Sequence, residues 1–305
     1  MNKEGVLVVG SANMDLVVFT NSFPKPGETV FGNDFQMFPG GKGANQAVAC
    51  SKLGGKTYFM GKMGNDDFAN SLYDSLHSNN IDLSYLMKSK ESHTGMALIT
   101  VDGKGENEIV VVSGTNMKLT CEDLKNSNVL FKDVKIVLTQ LEIPTETVMS
   151  IANLASENNT LFILNPAPAK ELPDSLFPLI DYLTPNETEL EILSGVKIKN
   201  ENDIKTAAYV LLDKGVKNVI VTLAEKGSIL INKNRFDLFI GNAVVAIDTT
   251  GAGDTFNGAL AYSLSKNKTI EESINFANYS ASISVTRRGA QSSMPTKQEV
   301  KQIIQ

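Results

Sequence analysis

Short runs of β-branched and other apolar residues recur along the chain, separated by longer stretches in which apolar positions repeat with helical spacing. The short runs predict strands at Val6–Val9, Thr57–Met60, Ile136–Leu138, Leu161–Leu164, Tyr182–Leu183, Val219–Thr222 and Ile229–Ile231. The amphipathic stretches predict helices at Ala44–Leu53, Asp67–Ser78, Thr145–Glu157, Glu187–Leu193, Glu201–Lys214, Thr255–Lys266, Ile270–Val285 and Lys297–Ile304. Such alternation implies an α/β fold with a mostly parallel sheet covered on both faces by helices. Two segments break the rhythm, Asp15 to Phe38 and Thr94 to Val112. In the second, Asp102-Gly103 sits between two extended runs as a hairpin turn would. Neither is long enough to fold alone. Paired in space, they would form a small antiparallel β lid. With no linker, repeat or low-complexity stretch, one domain over 1–305 is expected, its lid discontinuous from about 15–38 and 94–112.

Composition narrows the partners rather than the fold. The 305 residues are 42% apolar and 20% charged, an ordinary globular balance. A net charge of −6, with no basic cluster longer than Arg287-Arg288, argues against a nucleic-acid surface. Cys50 and Cys121 both fall in segments that read as helical and form no C-x-x-C pair, so idle thiols are expected rather than a disulfide. The first strand follows MNKEG directly, without a signal-peptide apolar region, and no apolar stretch approaches the ~18 residues of a membrane span. A cytoplasmic protein is expected. His77 and His93 are too far apart to suggest a metal site.

Three glycine- or asparagine-bearing turns carry the candidate chemistry. In Asp248-Thr249-Thr250-Gly251-Ala252-Gly253-Asp254, a glycine-rich loop meets the start of a helix. The unpaired first N–H groups and the positive end of the dipole make a socket for an anion, most naturally a phosphate. Asp254 at this joint either caps the helix or serves as a base beside a phosphoryl group. Pro39-Gly40-Gly41-Lys42-Gly43-Ala44-Asn45 also opens onto a helix, but it lacks P-loop spacing and the third glycine of a dinucleotide fingerprint. Lys42 and Asn45 offer donors to a hydroxyl-rich ligand. Gly10-Ser11-Ala12-Asn13-Met14-Asp15 follows the first strand at its carboxyl end, where open α/β sheets bind ligands. Asn13 and Asp15 face the same way if the segment is extended, and Glu142, at the end of the strand Val137–Leu141, reaches the same edge. Asn186 and Glu189 could form a capping box or could support a magnesium–phosphate cluster through water.

GSANMD, PGGKGANQAVA, LNPAPAKELP, TPNETELEIL, DTTGAGDTFNGAL and SVTRRGAQSSMP, in this order and nearly end to end, resemble the ribokinase-like family of carbohydrate kinases. GGKGANQA together with GAGDTFNG is the most specific part. The resemblance implies a three-layer α/β/α fold with a small antiparallel lid that also pairs subunits into a homodimer. It implies ATP-dependent phosphorylation of the 5-hydroxyl of D-ribose. By the same resemblance Asp254 is the base, and Gly251, Ala252 and Gly253 form an anion hole. Asn13, Asp15, Gly41, Lys42, Asn45 and Glu142 fall on sugar-contact positions. Asn186, Thr222, Gly227, Gly253 and Asn278 fall on nucleotide positions, and Glu189 matches a magnesium-linked glutamate. Asp248, Thr250, Ser284, Arg287, Gly289 and Ser293 match positions around a monovalent cation, usually K+. Ala224 departs from the pattern, standing where glycine is usual and threatening to narrow the nucleotide site.

Asn13 offers a partner to a 2-hydroxyl, which favours ribose over deoxyribose, since burying an unpaired amide costs roughly 1–3 kcal/mol. Fructokinase and deoxyribokinase chemistry are the nearest alternatives. A non-catalytic sugar-binding regulator is the alternative from another class. A dinucleotide-dependent oxidoreductase would need a G-x-G-x-x-G after the first strand, which is absent.

Overall fold

A computed structural model describes residues 3–304. The strands are β1 (Val6–Val9), β2 (Asn13–Thr20), β3 (Gly32–Gly40), β4 (Thr57–Met63), β5 (Asp82–Lys88), β6 (Gly95–Val101) and β7 (Asn107–Val112). They continue with β8 (Ile136–Thr139), β9 (Leu161–Leu164), β10 (Tyr182–Leu183), β11 (Asn218–Thr222), β12 (Gly227–Asn232) and β13 (Arg235–Ile240). The helices are α1 (Lys42–Lys52), α2 (Asp67–Ser78), α3 (Asn128–Asp133), α4 (Thr145–Glu157) and α5 (Glu187–Ser194). They end with α6 (Glu201–Asp213), α7 (Ala252–Ser265), α8 (Ile270–Ser284) and α9 (Lys297–Ile304).

Nine strands form the main sheet in the order β13-β12-β11-β10-β9-β8-β1-β4-β5, parallel from β11 to β5. The antiparallel β12 and β13 extend it at one edge. β1 and β8 are buried at every position, as strands covered on both faces must be. Leu7, Val9, Val137 and Phe162 pack toward α4 and α6 on one face, while Val6, Val8, Ile136 and Ile163 pack toward α1, α7 and α8 on the other. The α/β/α fold expected from the pattern is therefore present. Its strand order runs one way from β1 to β5 and the other way from β8 to β11, so a crevice opens at the carboxyl ends of β1 and β8.

The lid is a separate four-stranded sheet, β3-β2-β6-β7. Its two hairpins are antiparallel, and the middle pair, β2 with β6, is parallel. Both middle strands leave the same end of the main sheet and run outward, so they point the same way. β2 begins at Asn13, two residues before the expected lid boundary, which makes Asn13 and Asp15 strand neighbours on one face.

Several boundaries move in ways that matter. α7 starts at Ala252, not Thr255, because Gly251 takes φ 74°, the left-handed conformation that lets the loop turn into the helix. β8 stops at Thr139, so Glu142 lies in the loop beyond it. β5 and β13 were not anticipated. Cys121 is not helical; it sits in a turn tied by Thr120 to the Asp123 carboxylate (2.7 Å from the Thr120 N–H). Neither cysteine is bonded to another. Among the described residues no helix is long and apolar enough to cross a membrane.

Candidate active site

Asp254 is 8% exposed and lies in the first turn of α7. It does not cap that helix: the N-cap is Gly251, with no side-chain bond. Its carboxylate instead accepts from Asn45 Nδ2 at 2.9 Å on Oδ2 and from Gln46 Nε2 at 3.0 Å on Oδ1, both from α1. Burial pushes the Asp254 carboxyl above the ordinary carboxylate range. The Lys42 charge and the two amide donors oppose that push. For Lys42, burial alone would lower the ammonium, but the carboxylates of Asp254, Glu142, Glu189 and Asp15 outweigh it and hold the group above its usual value. A buried carboxylate and a cation thus share one crevice with three further acids.

The N–H of Ala252 is bonded to Thr249 O at 3.2 Å, so that member of the expected anion hole is occupied by its own loop. The N–H groups of Gly251, Gly253 and Asp254 have no acceptor among the described residues. A side chain on Gly253 would meet nothing within 4 Å, which leaves a cradle open at the dipole's positive end. The residues present fit a phosphate.

On the lid side, Asn13 is buried and its Oδ1 accepts from Asn116 Nδ2 at 2.6 Å. Asn116, which sequence reading missed, also accepts from the Ala12 N–H at 3.0 Å and so pins the start of β2. The Asp15 carboxyl lies against Gly40, where a Cβ would fall 2.3 Å from Oδ2 and displace the carboxylate. Burial, then the neighbouring Glu142 and Asp254 charges, raise the Asp15 carboxyl to about 7, against the pull of Lys42. Glu142 Oε2 accepts from Ser11 Oγ at 2.5 Å and from the Lys42 N–H at 3.1 Å. Gly41, at φ 86°, turns the chain between β3 and α1 beside the backbone of Ala12 and Asn13. Asn45 Oδ1 takes a bond from Gln291 Nε2 at 3.0 Å, leaving its amide nitrogen for Asp254 and the crevice. The six positions expected to contact sugar therefore lie around one crevice with Asp254.

Asn186 and Glu189 form a complete capping box at the start of α5. Glu189 is raised by burial, opposed by the Asn186 N–H and by Lys42, so it shares the field of the crevice. Its Oε2 holds the cap, and Oε1 has no donor among the described residues. The described residues contain no cluster of three or more His, Cys, Asp or Glu side chains placed to chelate a metal. One carboxylate oxygen beside phosphates fits a magnesium ion that keeps its waters.

The remaining nucleotide positions lie where β11, β12 and α8 meet. Thr222 bridges to Asn186, and Asn278 accepts from Ser228 Oγ at 3.2 Å. Gly227 has a backbone reason to be glycine: φ is 101°, and a Cβ would fall 2.1 Å from Phe239 O. Ala224 adopts φ 51° in the left-handed region. Glycine has a conformational advantage at that position, and alanine there strains the backbone.

Of the positions expected around a cation, Asp248, Thr250 and Gly289 are joined directly. Asp248 accepts from the Thr250 N–H at 2.9 Å and the Gly289 N–H at 2.8 Å, tying residues 248–250 to the 285–289 turn. Burial would raise this carboxyl, but the Thr250 and Gly289 bonds outweigh it and hold it below its usual range. Ser284 and Ser293 turn their hydroxyls back to Ala281 O and Ala290 O, and Arg287 pairs with Glu299 at 2.5 Å. The hydroxyl hydrogens of both serines are thus turned away, and the guanidinium of Arg287 leaves only its backbone oxygen to offer an ion. One ionised carboxylate with carbonyl oxygens is a donor set suited to a hard ion of single charge.

The model of the pfkB family carbohydrate kinases matches residues 3–297. The ribokinase of Haemophilus influenzae is 41% identical over 303 residues, covering 99% of both chains. A deoxyribokinase of Salmonella typhi is 37% identical over 300 residues, covering 98% of each. Among solved structures, Arabidopsis thaliana ribokinase complexed with ribose and ATP superposes with a TM-score of 0.94 at 33% identity, covering 100% of this chain and 99% of that one. With the family model matched over nearly the whole chain and relatives about 40% identical end to end, the chain belongs to the pfkB family of carbohydrate kinases and is an enzyme.

Proposed function

We propose that the protein transfers the γ-phosphoryl group of ATP to the 5-hydroxyl of D-ribose, as one kinase domain with a β lid. The observation that carries this reading is Asp254, a buried carboxylate beside open helix N–H groups and held by two amides. A free aspartate, with pKa near ~4, is a poor base for an alcohol. Burial lifts Asp254 toward the working range of a general base. The phosphoryl transition state is loose, so the carboxylate mainly orients the hydroxyl and takes its proton late. The N–H groups of Gly253 and Asp254 stabilise charge gathering on the transferred group. Lys42 balances the acids around it, and the lid excludes water that would otherwise accept the phosphoryl group.

Asn13 and Asp15 point from the lid toward the crevice. With Asn13 Oδ1 committed to Asn116, its amide nitrogen is left to donate to a sugar hydroxyl, while Asp15 accepts. That pairing supports ribose over 2-deoxyribose. Asn186, Thr222, Gly227 and Asn278 frame the nucleotide end. Magnesium, held through water by Glu189, would neutralise phosphate charge when bound. Potassium, held around Asp248, would steady the loop that carries the cradle.

The lid's outer face supports a homodimer. Val18, Phe35, Met37, Leu98 and Val110 lie side by side in register and are 36–61% exposed. An apolar patch of this kind marks an interaction surface.

The experiment is a coupled assay of ATP-dependent phosphorylation of D-ribose, 2-deoxyribose, fructose and fructose 6-phosphate, each with and without potassium. Preference for ribose with potassium activation is expected. Preference for deoxyribose would keep the mechanism and overturn the role of Asn13. Ribose binding without turnover would turn the case to a sugar-binding regulator.

A further inference from the structure

Gln46 is fully buried, yet all of its polar atoms are engaged. Its Nε2 donates to Asp254 Oδ1 and to Asn165 Oδ1, both at 3.0 Å, and its Oε1 accepts from Gln140 Nε2 at 2.6 Å. Asn165 Nδ2 donates to Thr184 O at 3.1 Å. Thr184 Oγ1 donates to Asn257 Oδ1 at 2.6 Å, and Asn257 Nδ2 donates to Gly253 O at 2.8 Å. The chain of amides starts on the Asp254 side chain and returns to the backbone one residue before it.

Its direction is determined at both ends. Thr184 O can only accept, so Asn165 must turn its NH2 there and its oxygen to Gln46. An ionised Asp254 can also only accept, so Gln46 must present its NH2 on that side and its oxygen to Gln140. One orientation satisfies Asp254, Gln46, Asn165 and Thr184 together. Gln140 carries the remainder of the cost: its own Oε1 is buried without a partner, against Gly10. A buried acceptor left unpaired is unfavourable by roughly 1–3 kcal/mol, which implies that the chain's orientation is worth keeping.

We propose that Gln46 is a positioning residue for Asp254: it fixes the rotation of the carboxylate toward the incoming hydroxyl, and Gln140 and Asn165 fix Gln46 in turn. This rests on the reading of Asp254 as the base. Asn45 grips the other oxygen, but it reaches Asp254 from the edge of the crevice, whereas Gln46 reaches it from the interior. Donation to the ionised form also restrains the upward push of burial on Asp254. The other charges facing the carboxylate are Lys42 from α1, Glu142 from the loop after β8, Asp15 from β2 and Glu189 from α5.

The test uses Gln46→Met and Gln140→Met in the full chain. The first removes the donor to Asp254; the second touches Asp254 only through Gln46. Two readouts are taken: the carboxyl ¹³C titration of Asp254 without substrate, assigned with Asp254→Asn, and the pH dependence of kcat with ribose. In Gln46→Met the carboxyl titration and the acid limb of kcat should both rise by about one pH unit. At the same time kcat should fall about tenfold while KM for ribose holds. Gln140→Met should shift the titration in the same direction by less. A folded Gln46→Met with an unmoved titration, or with its loss entirely in KM, overturns the proposal. Should Gln46→Met fail to fold, an unmoved titration in Gln140→Met overturns it. If the wild type phosphorylates no sugar, the functional reading fails, and the substrate-free titration still decides the role of Gln46.

Discussion

Asp254 and Asp15 sit in one crevice with different tasks, and their environments make different predictions. Asp254→Asn keeps the size and the neighbours of the side chain but removes its capacity to take a proton. Turnover should fall by roughly 10²–10⁴-fold, to background in a coupled assay, while ribose binding by calorimetry stays near wild type. Near-normal turnover would remove Asp254 from its role. Asp15 holds its proton up to about pH 7 in the folded chain, whereas an unfolded aspartate loses it near ~4. The folded state binds more protons between those values, so stability falls as pH rises through that window. Asp15→Asn should therefore raise the thermal midpoint at pH 8 and leave it unchanged near pH 4; equal gains at both would refute the assignment. The acids themselves were legible from their motifs at strand ends and helix starts. Asn45 was legible with them, but the amides of Gln46, Gln140 and Asn116 were not. Gln46 reaches Asp254 across 208 positions and Gln140 across 94, and an amide follows no periodicity that reports where its partner lies.

At the level of elements, the site depends on how closely α7 approaches α1. Gly258 lies one turn beyond Asp254, and a Cβ there would come within 2.6 Å of both Gln46 O and the Ala49 Cβ, and 3.0 Å from Cys50 N. Backbone atoms cannot yield, so the helices must separate. Gly258→Ala should destabilise the fold by about 1–3 kcal/mol despite alanine's higher helix propensity. It should also lower kcat, because Asp254 and its two amide donors ride on the helices being pushed apart. Denaturant midpoints and kcat measured together test this; an unchanged kcat would show that the two helices do not need this spacing. Helices with capping boxes or strong amphipathic repeats were readable almost to the residue: α2, α4 and α9 match their predicted spans. α7 was not, since its start is set by the backbone turn at Gly251 rather than by a side-chain cap. β5, read as DLSYLMK, mixes polar and apolar residues without clean alternation, and β13 sits at the opposite edge of the sheet with Leu238 and Ile240 exposed. Edge strands bury too little to leave a strong pattern.

Across the whole molecule the two sheets divide the work. The inner strands of the main sheet were legible because they are largely apolar. The lid's antiparallel hairpins were legible as interruptions, but the parallel β2–β6 pair was not, because it depends on where both strands leave the main sheet. Val110 lies on the edge strand β7, in register with Leu98 on the lid's apolar face, and is 61% exposed. Val110→Asp should shift the protein from dimer to monomer in light scattering, with the thermal midpoint little changed; an unaltered mass would place any dimer contact elsewhere.

Alternation along β2 has one more consequence. Asn13 and Asp15 face the crevice, while Leu16 and Val18 on the same strand face outward among the apolar residues. On the proposed function, a single rod of backbone would carry a sugar at one side and a neighbouring subunit at the other. Whatever tilts that rod to meet the sugar also tilts the surface offered to the neighbour. In the proposed dimer, thermodynamic reciprocity makes any factor by which sugar changes the dissociation constant equal to the factor by which dimerisation changes the affinity for sugar. The strand acts as a lever between two equilibria, and a titration of either one reports on the other.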